Sequence, residues 1–188
     1  MSRLVLIRHC EPQEDAHGRC YGSLDVGLSA AGRAHADELA LRLGEVDAVW
    51  TSPRLRARET AAPIGSSPLV HDDLRELDFG ELEGRTYDEI AASEPELYRA
   101  WMETPTRVRF PAGESFADLS RRAVPALERI QAQHEFAVVV THGGVIRAGL
   151  AAWLGMPDER IFRLEIGYGG ITVVDRLDGT PIIRMVNG

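Results

Sequence analysis

Arg3-Leu4-Val5-Leu6-Ile7-Arg8-His9-Cys10-Glu11 is the stretch that decides the architecture. Leu4 to Ile7 are apolar without interruption, which reads as a short strand buried on both faces. The run stops at a cation, an imidazole, a thiol and a carboxylate. Reactive side chains at the carboxyl end of a buried parallel strand lie where open α/β sheets bind ligands. Late in the chain Phe136 to Val140 does the same, leading into Thr141-His142-Gly143-Gly144. Two strands thus each deliver a histidine at their carboxyl ends, and His9 and His142 are expected to face one anionic group between them.

Outward from these runs, strands alternate with helices. Residues 12 to 28 read as a polar loop. Ser29 suits an N-cap, and Ala36, Leu39, Ala40 and Leu43 form an amphipathic stripe that Gly44 closes. Ala48-Val49-Trp50 reads as a second strand, followed at Pro53 by a helix over residues 53 to 64 carrying Arg54, Arg56 and Arg58. Leu74 to Gly84 is punctuated by glycines and reads as an irregular loop. Short helices are expected from Thr86 to Ser93 and from Glu96 to Met102, then a loop over Pro105 to Glu114. Ser115 would cap a long helix with Phe116, Leu119, Ala123, Leu127 and Ile130 on one face, kinked or split at Pro125. Val145 to Leu154 reads as a helix closed by Gly155. Phe162 to Ile166, Ile171 to Asp175 and Ile182 to Val186 read as strands, the last two as a hairpin around Asp178-Gly179. The pattern predicts a single three-layer α/β/α domain over residues 1–188, with a mostly parallel central sheet and helices on both faces.

Composition excludes several classes of function. The chain of 188 residues has a formal net charge of −8, and no basic run is available to neutralise a nucleic-acid backbone. No apolar run approaches the ~20 residues that span a bilayer. The amino-terminal apolar stretch is too short for a signal peptide, so a cytoplasmic protein is expected. The two cysteines, Cys10 and Cys20, make no disulfide framework. All 21 Lys-plus-Arg residues are Arg. Without Lys there is neither a Schiff-base lysine nor a Walker-type phosphate loop, and phosphate chemistry must use Arg, His and backbone amides.

Leu6-Ile7-Arg8-His9, Gly32, Thr51-Ser52-Pro53 with Arg56-Ala57 and Thr60-Ala61, Glu76 before Phe79-Gly80, and Thr141-His142-Gly143-Gly144 occur in an order that resembles the histidine phosphatase (phosphoglycerate mutase-like) superfamily. The resemblance runs from residue 4 to about 155. It implies that His9 is the nucleophile and forms a phosphohistidine, for which it must be neutral. Arg8 and Arg56 would bind the phosphoryl oxygens with planar forks that Lys could not mimic. His142 would donate to the same oxygens, its cationic state favoured by phosphate and opposed by the arginines. Glu76 would protonate the leaving alcohol and then take a proton from water, a double role that needs a raised pKa. The Gly143 N–H would add a donor.

Glu76 competes for the acid role with Asp78, Glu81 and Glu83. Arg54 and Arg58 read as solvated helix residues, and His17, His35, His71 and His134 as surface histidines. Tyr21, Gly22 and Asp25 resemble a family loop motif expected to give structural support. The family usually has Gly after the nucleophilic His, where this chain has Cys10. If that position needed positive φ or close approach to phosphate, a side chain would interfere. A thiol beside an Arg could also have a lowered pKa; the blander reading is a small tolerated side chain.

The expected activity is hydrolysis of a small-molecule phosphate ester with no cofactor and no metal. The expectation includes no nucleic acid and no membrane partner, and leaves a homodimer open. Pro111-Ala112-Gly113-Glu114-Ser115-Phe116 and Leu154-Gly155-Met156-Pro157 resemble the α-ribazole phosphatase branch, which makes α-ribazole 5′-phosphate a candidate substrate. The alternatives are phosphoglycerate mutase-type transfer, a metal site from His9, Cys10, His17 and Cys20, and a non-catalytic member that binds phosphorylated ligands. The short segment from Gly84 to Pro111 and the strand running directly to Gly188 argue against a mutase. The cysteine and histidine spacing matches no common zinc pattern, and all five core residues of the family are present.

Overall fold

The computed structural model describes residues 1–188, the side chains of residues 158 and 159 excepted. Its centre is a six-stranded sheet in the order β3-β2-β4-β1-β5-β6. The strands are β1 Ser2–Arg8, β2 Ala48–Thr51, β3 Leu69–Val70, β4 Phe136–Thr141, β5 Ile171–Leu177 and β6 Thr180–Met185. β3, β2, β4 and β1 run parallel; β5 is antiparallel to β1, and β6 to β5. The sheet is therefore mixed, with the parallel part carrying both histidines.

Strand alternation divides the core in two. Leu4, Leu6, Ala137, Val139 and Val174 face helices α5 (Phe116–Gln133) and α6 (Gly143–Leu154). Val5, Ile7, Val49, Val138 and Val140 face α1 (Ala30–Leu43) and α2 (Leu55–Ala61). Leu4, Leu6 and Ile7 have no exposed surface. A one-residue slip of β1 would exchange its two faces and mismatch both layers, so burial fixes the register. That register pairs Ile7 with Val140 and Arg8 with Thr141. The next peptide continues the ladder, the His9 N–H donating to the Thr141 carbonyl at 2.8 Å. The residues that follow, His9 and His142, must therefore emerge side by side.

The caps explain most helix limits. Ser29 accepts the Gly32 N–H, and Gly44 at φ 66° ends α1. Thr86 with Glu89 forms a capping box for α3 (Tyr87–Ser93), as does Ser115 with Asp118 for α5. α4 (Pro95–Glu103) starts on its proline.

Three expectations are corrected. Phe162 to Ile166 is not a strand; a 3-10 turn covers Asp158–Arg163, and its Phe162 lines the site. α2 is shorter than residues 53 to 64, because Ser52 Oγ accepts the Arg54 N–H and Asp25 accepts the Leu55 N–H, moving the start to Leu55. α5 runs through Pro125 without splitting. The proline is on the solvent side, while Leu119, Ala123, Leu127 and Ile130 anchor both halves on the core. The two-residue edge strand β3 was not among the expected strands; it is too short to carry a periodic pattern.

Candidate active site

His9 is 2% exposed, and its Nδ1 lies 2.8 Å from the Cys10 carbonyl oxygen. A carbonyl only accepts, so Nδ1 holds the proton and Nε2 keeps the lone pair. The ring lies among those of His142, Tyr168 and Tyr21, at centroid distances of 5.3, 5.6 and 6.2 Å. Burial first, then the Arg56 and Arg8 charges, hold its pKa well below the ordinary value of 6.5. The imidazole is therefore neutral at neutral pH, the state a nucleophile requires.

Cys10 answers the question posed by the missing glycine. Its backbone is not among the residues at positive φ, and its N–H donates to Thr60 Oγ1 at 3.0 Å. The side chain points into the core on the α1–α2 side. Burial pushes the thiol up to about 11, the opposite direction from an activated thiol, which fits the small tolerated side chain.

Arg56 is completely buried on α2. Its Nη1 donates to the Leu24 carbonyl at 2.9 Å and its Nη2 to the Gly22 carbonyl at 3.1 Å. The Tyr21–Asp25 loop is thus the brace that aims this guanidinium. A Cβ at Gly22 would stand 1.7 Å from the Leu77 carbonyl oxygen, so only glycine fits there. Arg8 donates from Nη1 to the Ile166 carbonyl at 2.6 Å, and its guanidinium lies 4.0 Å from the Tyr168 ring centroid. The Nε atoms of Arg8, Arg54 and Arg56 and the Nδ1 of His142 are buried without a hydrogen-bond partner. Of these, Arg8 and Arg56 line the cavity beside His9, so its wall presents two cationic side chains with unused donors, as an anion site requires.

His142 is fully buried, caps α6 and sits behind the cavity wall. Ser52 Oγ accepts the Arg54 N–H at 3.3 Å and shares a hydrogen bond with His142 Nε2 at 2.7 Å, which orients the ring. Burial, then Arg56, His9 and Arg8, hold the pKa of His142 well below 6.5. In the anion-free site it is neutral; a bound phosphoryl group would oppose those causes.

Glu76 lines the same cavity as His9, Arg8 and Arg56. Its Oε1 accepts the Leu77 N–H at 2.9 Å and its Oε2 the Gly144 N–H at 3.1 Å. A Cβ on Gly144 would lie 2.2 Å from Oε1, so this glycine admits the carboxylate to the start of α6. Gly143, also on the cavity wall, is the first residue of α6, where a backbone N–H has no intrahelical acceptor. The rival carboxylates are used elsewhere: Glu83 accepts the Ser23 and Phe79 N–H groups, Asp78 accepts that of Gly80, and Glu81 is exposed.

The cavity is about 260 Å³. Its remaining wall includes Phe79, Tyr87, Trp101, Phe116 and Phe162, together with Arg19 and Arg147. The structure brings the expected His9, Arg8, Arg56, Glu76 and Gly143 to one cavity, with His142 beside His9; Tyr168, Arg147 and the orienting contact of Ser52 were not among the expectations. Tyr168 lies in the glycine-rich run Gly167-Tyr168-Gly169-Gly170, a signal of close backbone approach that could have flagged it. Arg54, read as solvated, is half-buried with its Nε sealed from solvent, whereas Arg58 is exposed. His35, His71 and His134 are half-buried, and the latter two accept the Asp73 and Trp50 N–H groups. Among the described residues no group of three or more His, Cys, Asp and Glu is placed to hold a metal, and Cys10 and Cys20 lie in different halves of the core. No helix of the described residues is long and apolar enough to cross a membrane.

Comparison with known proteins places this geometry in context. A family model described as "Histidine phosphatase superfamily (branch 1)" matches residues 4–188. Phosphoserine phosphatase 1 of Hydrogenobacter thermophilus is 30% identical over 195 aligned positions, covering 100% of this chain and 92% of the relative. A metal-independent phosphoserine phosphatase of Arabidopsis thaliana is 38% identical over 159 positions, 79% of this chain and 67% of the relative. Among solved structures, the alpha-ribazole phosphatase of Shigella flexneri superposes with a TM-score of 0.87 at 27% identity, over 99% of this chain and 96% of that one.

Proposed function

The chain belongs to the histidine phosphatase superfamily, and we propose that within it His9 Nε2 attacks the phosphorus of the ester while Arg8, Arg56 and His142 hold the transferred group. The protein is a phosphomonoester hydrolase acting on a small phosphorylated metabolite. In the proposed first step the Nε2–P bond forms as the P–O ester bond breaks, and Glu76 gives its proton to the departing alkoxide. In the second, Glu76 takes a proton from water, the water oxygen bonds to phosphorus, and His9 leaves. The products are the alcohol and inorganic phosphate. The three guanidinium and imidazole groups neutralise the equatorial oxygens throughout, and the Gly143 N–H adds a donor. Residues 1–188 act as one domain, in the cytoplasm and without a cofactor; the reading involves no nucleic acid and accommodates a homodimer.

The observation that carries the substrate is the aromatic wall. Phe79, Tyr87, Trp101, Phe116 and Phe162 border the cavity that presents His9 and Glu76. They favour an alcohol bearing a flat apolar group, as in α-ribazole 5′-phosphate, over the small polar alcohol of phosphoserine. Burying one such group is worth about 1.5–3 kcal/mol, or roughly 10- to 100-fold in kcat/KM. A steady-state screen of α-ribazole 5′-phosphate, phosphoserine, 3-phosphoglycerate and p-nitrophenyl phosphate, with and without chelator, tests this. Preference for the α-ribazole ester by about tenfold or more, indifferent to chelator, is expected; preference for phosphoserine would overturn the substrate assignment.

A further inference from the structure

Glu76 lies on a segment that belongs to no strand or α-helix, between the 3-10 turn Asp72–Leu74 and the one at Gly80–Leu82. What fixes it is a side chain from α5. The Arg122 guanidinium makes five hydrogen bonds, which uses every N–H it has. Nη1 donates to the carbonyls of Asp73 and Arg75 at 2.9 and 2.7 Å, and Nη2 to that of Glu76 at 3.0 Å. Nε and Nη2 hold the two oxygens of Glu114 at 2.8 and 2.6 Å. Glu114 in turn accepts the Asp78 N–H at 3.2 Å. The remaining carbonyl of the stretch, Leu74, is taken by Thr141 Oγ1 at 2.7 Å, one residue before His142. Arg122 and Glu114 are only 11% and 17% exposed.

We propose that Arg122, braced by Glu114, is a positioning residue for Glu76, setting the height at which its carboxylate meets the leaving oxygen. The inference rests on Glu76 as the proton donor. Glu76 Oε1 accepts the N–H of Leu77 on the same segment while Oε2 accepts that of Gly144 at the start of α6, so a shift of the Arg122-held backbone displaces the carboxylate relative to α6 and the site. A shift of about 1 Å at a reacting group can cost on the order of 100-fold. Lys cannot replace Arg122, because a single ammonium has three donors and no planar fork to span three carbonyls and a carboxylate. The Pro111–Phe116 motif gains a task from this: it delivers Glu114 to the brace.

The test is kcat/KM across phosphate monoesters, from aryl esters, whose leaving groups need no proton, to alkyl esters, which do. Glu76→Gln should lower alkyl esters on the order of 100-fold or more and aryl esters by less than about tenfold. Arg122→Lys should lower alkyl esters roughly 10- to 100-fold while holding aryl esters within about threefold. The double variant should be no worse on alkyl esters than Glu76→Gln alone, since one residue acts through the other. Equal loss on both ester types in Arg122→Lys, or losses that multiply in the double variant, would overturn the positioning role. If Arg122→Lys does not fold, Glu114→Gln, which keeps the carbonyl contacts, faces the same criterion. Equal loss of both ester types in Glu76→Gln would instead remove Glu76 as the donor, and the inference with it.

Discussion

Two imidazoles buried without charge make stability depend on pH in a window where few other groups titrate. His9 and His142 have folded-state pKa values well below 6.5, caused first by burial and then by neighbouring cations. Below pH 6.5 the unfolded chain takes up these protons and the folded chain does not. Stability is therefore complete above the unfolded value and is lost as pH falls through it towards the folded values. With the unfolded value at about 6.5, each histidine contributes at most about 1.4 kcal/mol of loss between pH 7.5 and 5.5, and the pair at most about 2.7 kcal/mol. The carboxylates held low in the fold, Glu89, Glu114, Asp118 and Asp175, weaken stability only where unfolded carboxylates titrate, below about pH 5. Urea unfolding at a series of pH values between 7.5 and 5.5 reads the effect directly. His9→Gln and His142→Gln should each remove about half of the slope. Saturating inorganic phosphate should flatten it, because a bound anion favours the protonated imidazoles. A wild-type curve that is level over this range, or a double variant as steep as wild type, would refute the claim that both rings are buried neutral.

Other perturbations separate the parts of the site. Gly144→Ala places a Cβ 2.2 Å from Glu76 Oε1 and 3.1 Å from Leu119. It should cost about 1–3 kcal/mol on thermal melting and slow alkyl esters more than aryl esters; an undisturbed ester ratio would contradict the packing described. Arg56→Lys should weaken inhibition by inorganic phosphate by about tenfold or more, as a planar fork is lost. It should also destabilise by about 1–3 kcal/mol, because the Gly22 and Leu24 carbonyls lose their donor. Competition kinetics and urea unfolding check the two halves separately. Cys10, buried and pushed up to about 11, should react with a thiol reagent only on unfolding, whereas fast labelling of the native protein would show that the loop after β1 opens.

Much of this was legible because the two key strands are unusually plain. Leu4 to Ile7 and Phe136 to Val140 are uninterrupted apolar runs, and each ends on a histidine. Their pairing then follows from burial. The helices with caps and stripes were also readable, since Ser29, Thr86 and Ser115 cap through contacts three residues away. What escaped depends on distant contacts. Phe162 to Ile166 has the composition of a strand, yet its backbone offers the Leu164 and Ile166 carbonyls to the Arg147 and Arg8 side chains rather than to a sheet neighbour. Ser52 sits in the Thr51-Ser52-Pro53 motif and Tyr168 in a glycine-rich run, but the contact each makes exists only once the sheet brings its loop beside a histidine. Arg122 looks like any helical arginine until α5 packs over residues 73 to 76.

Phosphoryl transfer starts from the lone pair of His9 Nε2, left free because Nδ1 donates to the Cys10 carbonyl. Rapid quench during turnover of a phosphate ester, followed by mass spectrometry and phosphorus NMR at alkaline pH, would identify the covalent intermediate. A phosphoryl group on Nε2 of His9, absent in His9→Ala and accumulating in Glu76→Gln with an aryl ester, is the expected result. Phosphorylation at His9 Nδ1 or at His142, or turnover that persists in His9→Ala, would contradict it.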